Sequence, residues 1–258
     1  MYELIPQAYF EKFNLIISKV NDRVEKILDD PSEENIHDLR TAIRRLGSAW
    51  SIVPKSSKKK KTEKFVLSCK KFFRSSSQIR DIDIIRQRLS EYKTEQINVV
   101  LKKIDGKKQK ALKIAQKKAE IVIEHTINKI DNDVIIPEKL EKKFKKTTFE
   151  QLSGIEKAIP IVTSNEKKVK ELHELRKNCK KLRYLLELTN HDESASFIKK
   201  LKEMQDLLGL IRDIDITIDL LKKYYKKTKS LEPIIKLEQQ KRNQLYVKFV
   251  EMQRTKIL

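Results

Sequence analysis

Apolar residues along this chain recur at helical rather than strand spacing. Phe65, Val66, Cys69, Phe72 and Phe73 fall at i, i+1, i+4, i+7 and i+8, and Ile97, Val100, Leu101 and Ile104 repeat the pattern. Each such segment carries one apolar stripe that needs a partner helix. Alternation with a period of two is scarce, so the pattern predicts an all-α fold. Breaks are expected near Asp29–Ser32, Pro54–Ser57, Asp105-Gly106, Asp131–Pro137, Pro160–Asn165, Thr189–Glu193 and Ser230–Pro233, where Gly, Pro, Asp, Asn or Ser interrupt the stripes. Ser32, followed by Glu34 and Asn35, reads as a helix start.

The same pattern occurs twice. His37-Asp38-Leu39-Arg40 with Arg44-Arg45-Leu46 returns as His173-Glu174-Leu175-Arg176 with Lys180-Lys181-Leu182, displaced by 136 positions. Ile79-Arg80-Asp81-Ile82-Asp83-Ile84 returns unchanged as Ile211-Arg212-Asp213-Ile214-Asp215-Ile216, displaced by 132. Order is kept, and the difference in displacement falls where an insertion between helices would place it. A six-residue identity containing two Asp and one Arg points to an internal duplication. The repeats are expected at residues 1–131 and 137–258, each with four or five helices, forming together one compact domain with the His37 and His173 faces turned toward a shared groove.

At about 100° per residue, His37, Arg40, Arg44 and Arg45 gather on one side of a helix, opposite Ile36, Leu39, Ile43, Leu46 and Trp50. The second copy sets His173, Arg176, Lys180 and Lys181, with Arg183 at the edge, against Leu172, Leu175, Cys179, Leu182 and Leu186. A solvated surface would not need cations at the same three places after His, nor Arg rather than Lys at the first of them. Guanidinium groups bind phosphate oxygens as a planar fork, so the pattern points to anion binding. Arg80 and Arg212 are further candidates for direct contact, and Lys70 and Lys202 match ten residues upstream of them, on the helix expected before each motif. Asp81, Asp83, Asp213 and Asp215 are expected to support the site, one of each pair capping a helix and the other orienting a cation.

Charge adds a partner class. The 258 residues include 58 Lys+Arg against 37 Asp+Glu, a net +21 at pH 7, which attracts polyanions. The Lys58–Lys61 run, standing alone, is given no role in the site. A metal site is not expected, because the positions three and four after each His hold Arg40 and Thr41, or Arg176 and Lys177. His125 and His191 have no counterpart in the repeat and are expected to be structural or exposed. Two carboxylates holding Mg²⁺ for phosphoryl transfer would want a phosphate-cradling Gly loop or more carboxylates, and four scattered glycines offer neither. The chain therefore reads as a binding protein, not an enzyme, with no cofactor. Cys69 and Cys179 are expected to be core thiols. No run is long and apolar enough to span a membrane, and the first residues lack the features of a secretory signal, so a cytoplasmic location without membrane insertion is expected.

Both motifs, taken in order and twice, resemble the CHAD family, the conserved-histidine α-helical domain, whose pattern pairs His-x-Leu-Arg-x-x-x-Arg-Arg with a later Arg-Asp-x-Asp. The resemblance implies two helical bundles related by a pseudo-twofold, a basic central channel that binds inorganic polyphosphate, and association with polyphosphate granules. Carried over by position, the channel lining would be His37, Arg40, Arg44, Arg45, Lys70, Arg80, His173, Arg176, Lys180, Lys181, Arg183, Lys202 and Arg212. The second copy departs from the pattern in having Lys180 and Lys181 where Arg is usual. Two alternatives remain: a nucleic-acid-binding protein, which fits the charge but lacks aromatic platforms or a recognition element, and an enzyme of polyphosphate metabolism, for which no nucleophile or metal cluster is visible. Oligomeric state and chain-length preference are not set by the sequence.

Overall fold

The computed structural model of the chain describes residues 3–130, 135–189, 193–225 and 229–255. Among these the regular structure is helical throughout: α1 (Pro6–Asp29), α2 (Glu33–Ser51), α3 (Lys60–Ser75), α4 (Ser77–Leu89), α5 (Glu95–Glu124), α6 (Pro137–Ser164), α7 (Val169–Leu186), α8 (Glu193–Tyr225) and α9 (Glu232–Thr255), with 3₁₀ turns at Lys55–Ser57 and Lys229–Leu231. The all-α expectation holds. His191 and the centre of the Asp131–Pro137 break lie outside the described residues.

Helix starts follow the local chemistry. Pro6 and Pro137 open α1 and α6, where a missing N–H costs nothing. The Ser32 side chain caps α2 by accepting from the Asn35 amide at 3.3 Å, and Glu33 and Glu34 place negative charge in its first turn. Lys60 begins α3, so the Lys58–Lys61 run is a helix entrance.

One expected break is overturned, and another falls at the far end of its range. The Asp105-Gly106 break is absent, because α5 runs through it. Its stripe of Ile97, Val100 and Ile104, continued by Ala111, Ala115, Ala119 and Val122, is buried on both sides of the glycine, and that burial outweighs the roughly 1 kcal/mol that Gly costs within a helix. Helix α6 likewise continues past Pro160 and ends at Ser164, with the Asn165 side chain accepting from the Lys167 amide at 2.8 Å in the following turn.

The two repeated motifs also differ in helical context. The first lies on α4 after a break at Ser76, where the Ser75 and Ser76 hydroxyls both donate to the Phe72 carbonyl at 2.9 Å and Ser77 donates to that of Phe73, also at 2.9 Å. Such back-bonding competes with the helical ladder. The corresponding residues of the second copy, Leu207, Leu208 and Gly209, have no hydroxyls, and α8 passes through them without interruption. Lys202 therefore shares a helix with Arg212 instead of preceding it. None of the four motif aspartates is a helix cap, since Asp81 and Asp83 lie within α4 and Asp213 and Asp215 within α8.

The chain divides into two compact units, each gathered from three segments. One comprises Met1–Arg80, Lys107–Glu150 and Lys181–Ile198, the other Asp81–Gly106, Gln151–Lys180 and Lys199–Leu258. These units describe packing, and leave the reading of residues 1–131 and 137–258 as repeats where the sequence put it. The first unit has an aromatic-rich core in which Tyr9, Phe13, Trp50, Phe65, Phe72 and Phe144 are buried. Tyr9 and Phe13 lie 5.6 Å apart, Phe13 and Trp50 6.4 Å, and the Tyr9 hydroxyl donates to the Ala49 carbonyl at 3.0 Å. The second unit has an aliphatic cluster with Ile82, Ile85, Leu89, Ile97, Ile214, Ile218 and Leu221 among its members, and Phe249 and Tyr246 are buried there as well.

All five predicted core positions on each motif helix are buried, from Ile36 to Trp50 on α2 and from Leu172 to Leu186 on α7. Cys69 and Cys179 are free, buried thiols whose pKa is pushed up to about 12 by burial. No helix among the described residues is long and apolar enough to cross a membrane.

Candidate anion-binding site

In the second unit, α7 and α8 bring three of the predicted residues into one cleft. His173, Arg176 and Arg212 line it together with Lys170, Lys177 and Glu174, around a volume of about 380 Å³. Glu174 is already paired with Lys177, so the cleft keeps an excess of positive charge. Arg176 and Arg212 supply forked donors there, whereas Lys170 and Lys177 add point charges that the repeat did not mark. Their signal in the sequence was position alone: they stand three before and four after His173, on the same helical face.

His173 is held from behind. Its Nε2 lies 3.0 Å from Asp215 Oδ2, which assigns the Nε2 proton to that bond and leaves Nδ1 for other partners. The second Asp215 oxygen accepts from Arg242 Nε at 2.6 Å, and Arg242 Nη2 donates to the Glu166 carbonyl at 3.0 Å. Asp215 is 7% exposed and fixes both the imidazole and a buried guanidinium. Arg242, on α9, has no counterpart in the repeat and was missed. Arg212 faces Asp81 at 4.0 Å.

Arg176 packs along α8 where Gly209 leaves the backbone bare, its Nε 3.5 Å from where a Cβ would stand. In the first copy, Arg40 is only 6% exposed. Its Nη1 donates to the Phe73 carbonyl at 2.6 Å and to Ser76 Oγ at 2.8 Å, and its guanidinium lies 4.1 Å from the Phe73 ring centroid. The serine break exposes carbonyls at the end of α3, and Arg40 satisfies one of them.

The other first-unit candidates are dispersed by neighbours that the sequence did not single out. Arg44 stands over the same Phe73 ring at 5.2 Å. Arg45 and Arg183 lie over the buried ring of Tyr184 at 5.5 and 4.7 Å, and both pair with Glu187, at 3.2 and 3.3 Å. Lys12, whose ammonium donates to the Glu187 and Thr189 carbonyls at 3.0 and 2.7 Å just past the end of α7, has its pKa lowered by burial, an effect that the Glu187 charge partly opposes. A groove of about 270 Å³ opens beside these residues, lined by Lys12, Lys19, Arg45, Tyr184 and Glu187. Arg80 pairs with Glu33 at 2.8 Å.

Lys70 is exposed on α3 close enough to Lys58 to help lower that ammonium's pKa, after burial, with Lys143 acting in the same direction. The structure thus groups it with the basic helix entrance. His37 and Lys202 are exposed, whereas Lys180 and Lys181 are partly covered on α7. Asp83 is buried and Asp213 partly so. His125, at the end of α5, has Nδ1 3.0 Å from the Ile121 carbonyl, a local structural bond. Among the described residues no group of three or more His, Cys, Asp or Glu is placed to hold a metal ion.

The model of the CHAD domain family matches residues 13–222, most of the chain and both copies of the motif. The chain belongs to the CHAD family. The crystal structure of the CHAD domain from the plant Ricinus communis is similar in fold, with a TM-score of 0.58 at 14% identity, covering 99% of this chain and 89% of that one. No curated protein sequence matches the chain. The matched span of this CHAD domain includes every residue of the cleft around His173 and every partner of Arg45 and Arg183.

Proposed function

We propose that this CHAD protein binds inorganic polyphosphate without catalysing its breakdown, and that the α7–α8 cleft is a principal contact. The observation that carries this is the convergence of Lys170, His173, Arg176, Lys177 and Arg212 on one opening whose lining includes one carboxylate, Glu174, paired with Lys177, while Asp81 and Asp215 stand behind Arg212 and His173. A linear polyanion presents phosphate oxygens at regular intervals. Fixed guanidinium forks accept such oxygens in pairs, while lysines adjust to the remainder. Membership of a family known for polyphosphate binding supports the ligand class. The channel implied by the resemblance, and recruitment to polyphosphate granules in the cytoplasm, belong to the same proposal.

The test is titration with polyphosphates of defined length, with pyrophosphate, DNA and RNA as competitors at moderate salt. Saturable binding that strengthens with length and resists nucleic acid is expected. Displacement by DNA or RNA at comparable concentration would make this a general polyanion binder. A companion assay with Mg²⁺ or Mn²⁺ should show no steady phosphate release, and release lost on Asp81→Asn or Asp213→Asn would make it an enzyme.

A further inference from the structure

The carboxylate of Glu187 occupies the place an anion would take. It follows the last residue of α7, and each of its oxygens meets a different guanidinium: Oε2 faces Arg45 Nε at 3.2 Å and Oε1 faces Arg183 Nη1 at 3.3 Å. A phosphoryl group would offer the same two arginines a pair of oxygens. The groove lined by Lys12, Lys19 and Arg45 gives a ligand access to this point, and Glu187 itself is on its wall.

We propose that Glu187 is an intramolecular counter-ion seated in the Arg45–Arg183 clamp, which polyphosphate must displace and which lowers the affinity of this part of the chain for it. The inference rests on the functional reading above. Three observations support it. The arginines have a support besides Glu187, because both lie against the buried Tyr184 ring and Arg183 shares its helix. Arg45 belongs to the first copy's motif, but its partners do not belong to the repeat, since Arg183, Tyr184 and Glu187 correspond at the 136-residue displacement to Gly47, Ser48 and Ser51; the second arginine of the clamp and the carboxylate between the two are a local addition to the second copy. Finally, Glu187 is one negative charge among Arg45, Arg183 and Lys12, and among the described residues lining the groove Lys19 is added without a further carboxylate.

Exchanging a carboxylate for a phosphate oxyanion gains little locally, so these arginines are underused in the unaltered chain. Glu187→Gln keeps the shape and removes the charge. Polyphosphate affinity at low salt should rise roughly three- to tenfold, and the slope of log affinity against log salt should steepen by about one to two, because two cations become available to release counterions. The gain should shrink in an Arg45→Gln background, which removes half of the clamp. Glu187→Ser, the residue of the first copy at this position, is the second variant should Gln disturb folding. Unchanged or weaker binding in both variants, with the unaltered chain binding normally, would overturn the proposal and make Glu187 a positioning residue. Absence of saturable polyphosphate binding by the unaltered chain would instead remove the functional reading on which it rests.

Discussion

Arg40 and Arg176 hold the same place in the repeated motif and perform different work. Arg40 completes the end of α3 from a buried position, whereas Arg176 lines an open cleft beside Gly209. Arg40→Ala should therefore cost stability, about 1.5–3 kcal/mol for a charge-assisted bond to buried acceptors, measurable by denaturant unfolding. Arg176→Ala and Arg212→Ala should each weaken polyphosphate binding by about 1.5–3 kcal/mol while leaving the unfolding midpoint nearly unchanged. Lys59→Ala, at the helix entrance, should do neither to a comparable degree. Equal losses from Lys59→Ala and Arg176→Ala would show that attraction to the overall charge, not the cleft, governs binding. The sequence placed both arginines opposite the apolar stripe of their helix, because periodicity determines direction. It could not tell a buried guanidinium from an open one, since that depends on three serines more than thirty residues away. Phe73 and Tyr184 were equally illegible as supports for arginines: aromatic residues at helical spacing read as core.

Between elements, the most demanding contact joins α4 to α9. Glu238 is 1% exposed, and its carboxylate accepts from Arg88 Nε and Nη2 at 3.0 and 2.7 Å and from the Tyr92 hydroxyl at 2.6 Å. Burial raises its pKa, but the bonds from Tyr92 and Arg88, with the charges of Arg88 and Lys241, together outweigh that and hold it below the usual glutamate value. A carboxylate depressed in the folded chain contributes stability at pH above its unfolded value of about 4.5, and that contribution is lost as pH falls through the lower folded value. Glu238→Ala leaves Arg88 without its partner and should cost about 3–5 kcal/mol. Its unfolding free energy should also fall less steeply below pH 4.5 than that of the unaltered chain; parallel acid profiles would show that Glu238 does not titrate with unfolding. Nothing in the sequence marked this pair, whose members are 150 residues apart. The helices themselves were far more legible, and the reading failed chiefly at Gly106, where a single weak helix former lay inside a stripe long enough to carry the helix through.

For the whole molecule, a chain of +21 charge must distinguish a chosen polyanion from any other. If several fixed cations each neutralise a phosphate, log affinity should fall with log salt at a slope that grows with polyphosphate length and is shallow for pyrophosphate. A slope independent of length would mean that one terminal phosphate is gripped. The folded core makes a separate prediction. A fragment of residues 1–131 would contain the first motif but lack Leu140, Phe144, Leu185 and Leu188, all members of the first unit's buried cluster. It should show reduced helicity by circular dichroism and no cooperative melt, and a fully folded fragment would refute this. Repetition in the sequence thus singled out three residues that share one cleft, His173, Arg176 and Arg212, whereas the assembly of each core from separated segments lay beyond local pattern.

That assembly gives the chain a timetable. The first unit includes Lys181–Ile198, so on the ribosome helices α1 to α3 cannot complete their shared core until synthesis has passed residue 181. At synthesis rates of about 5–20 residues per second, the wait lasts on the order of ten seconds. During it the part-made core would be open to chaperones. Codon choice before residue 181 would be expected to matter more to yield than codon choice after it.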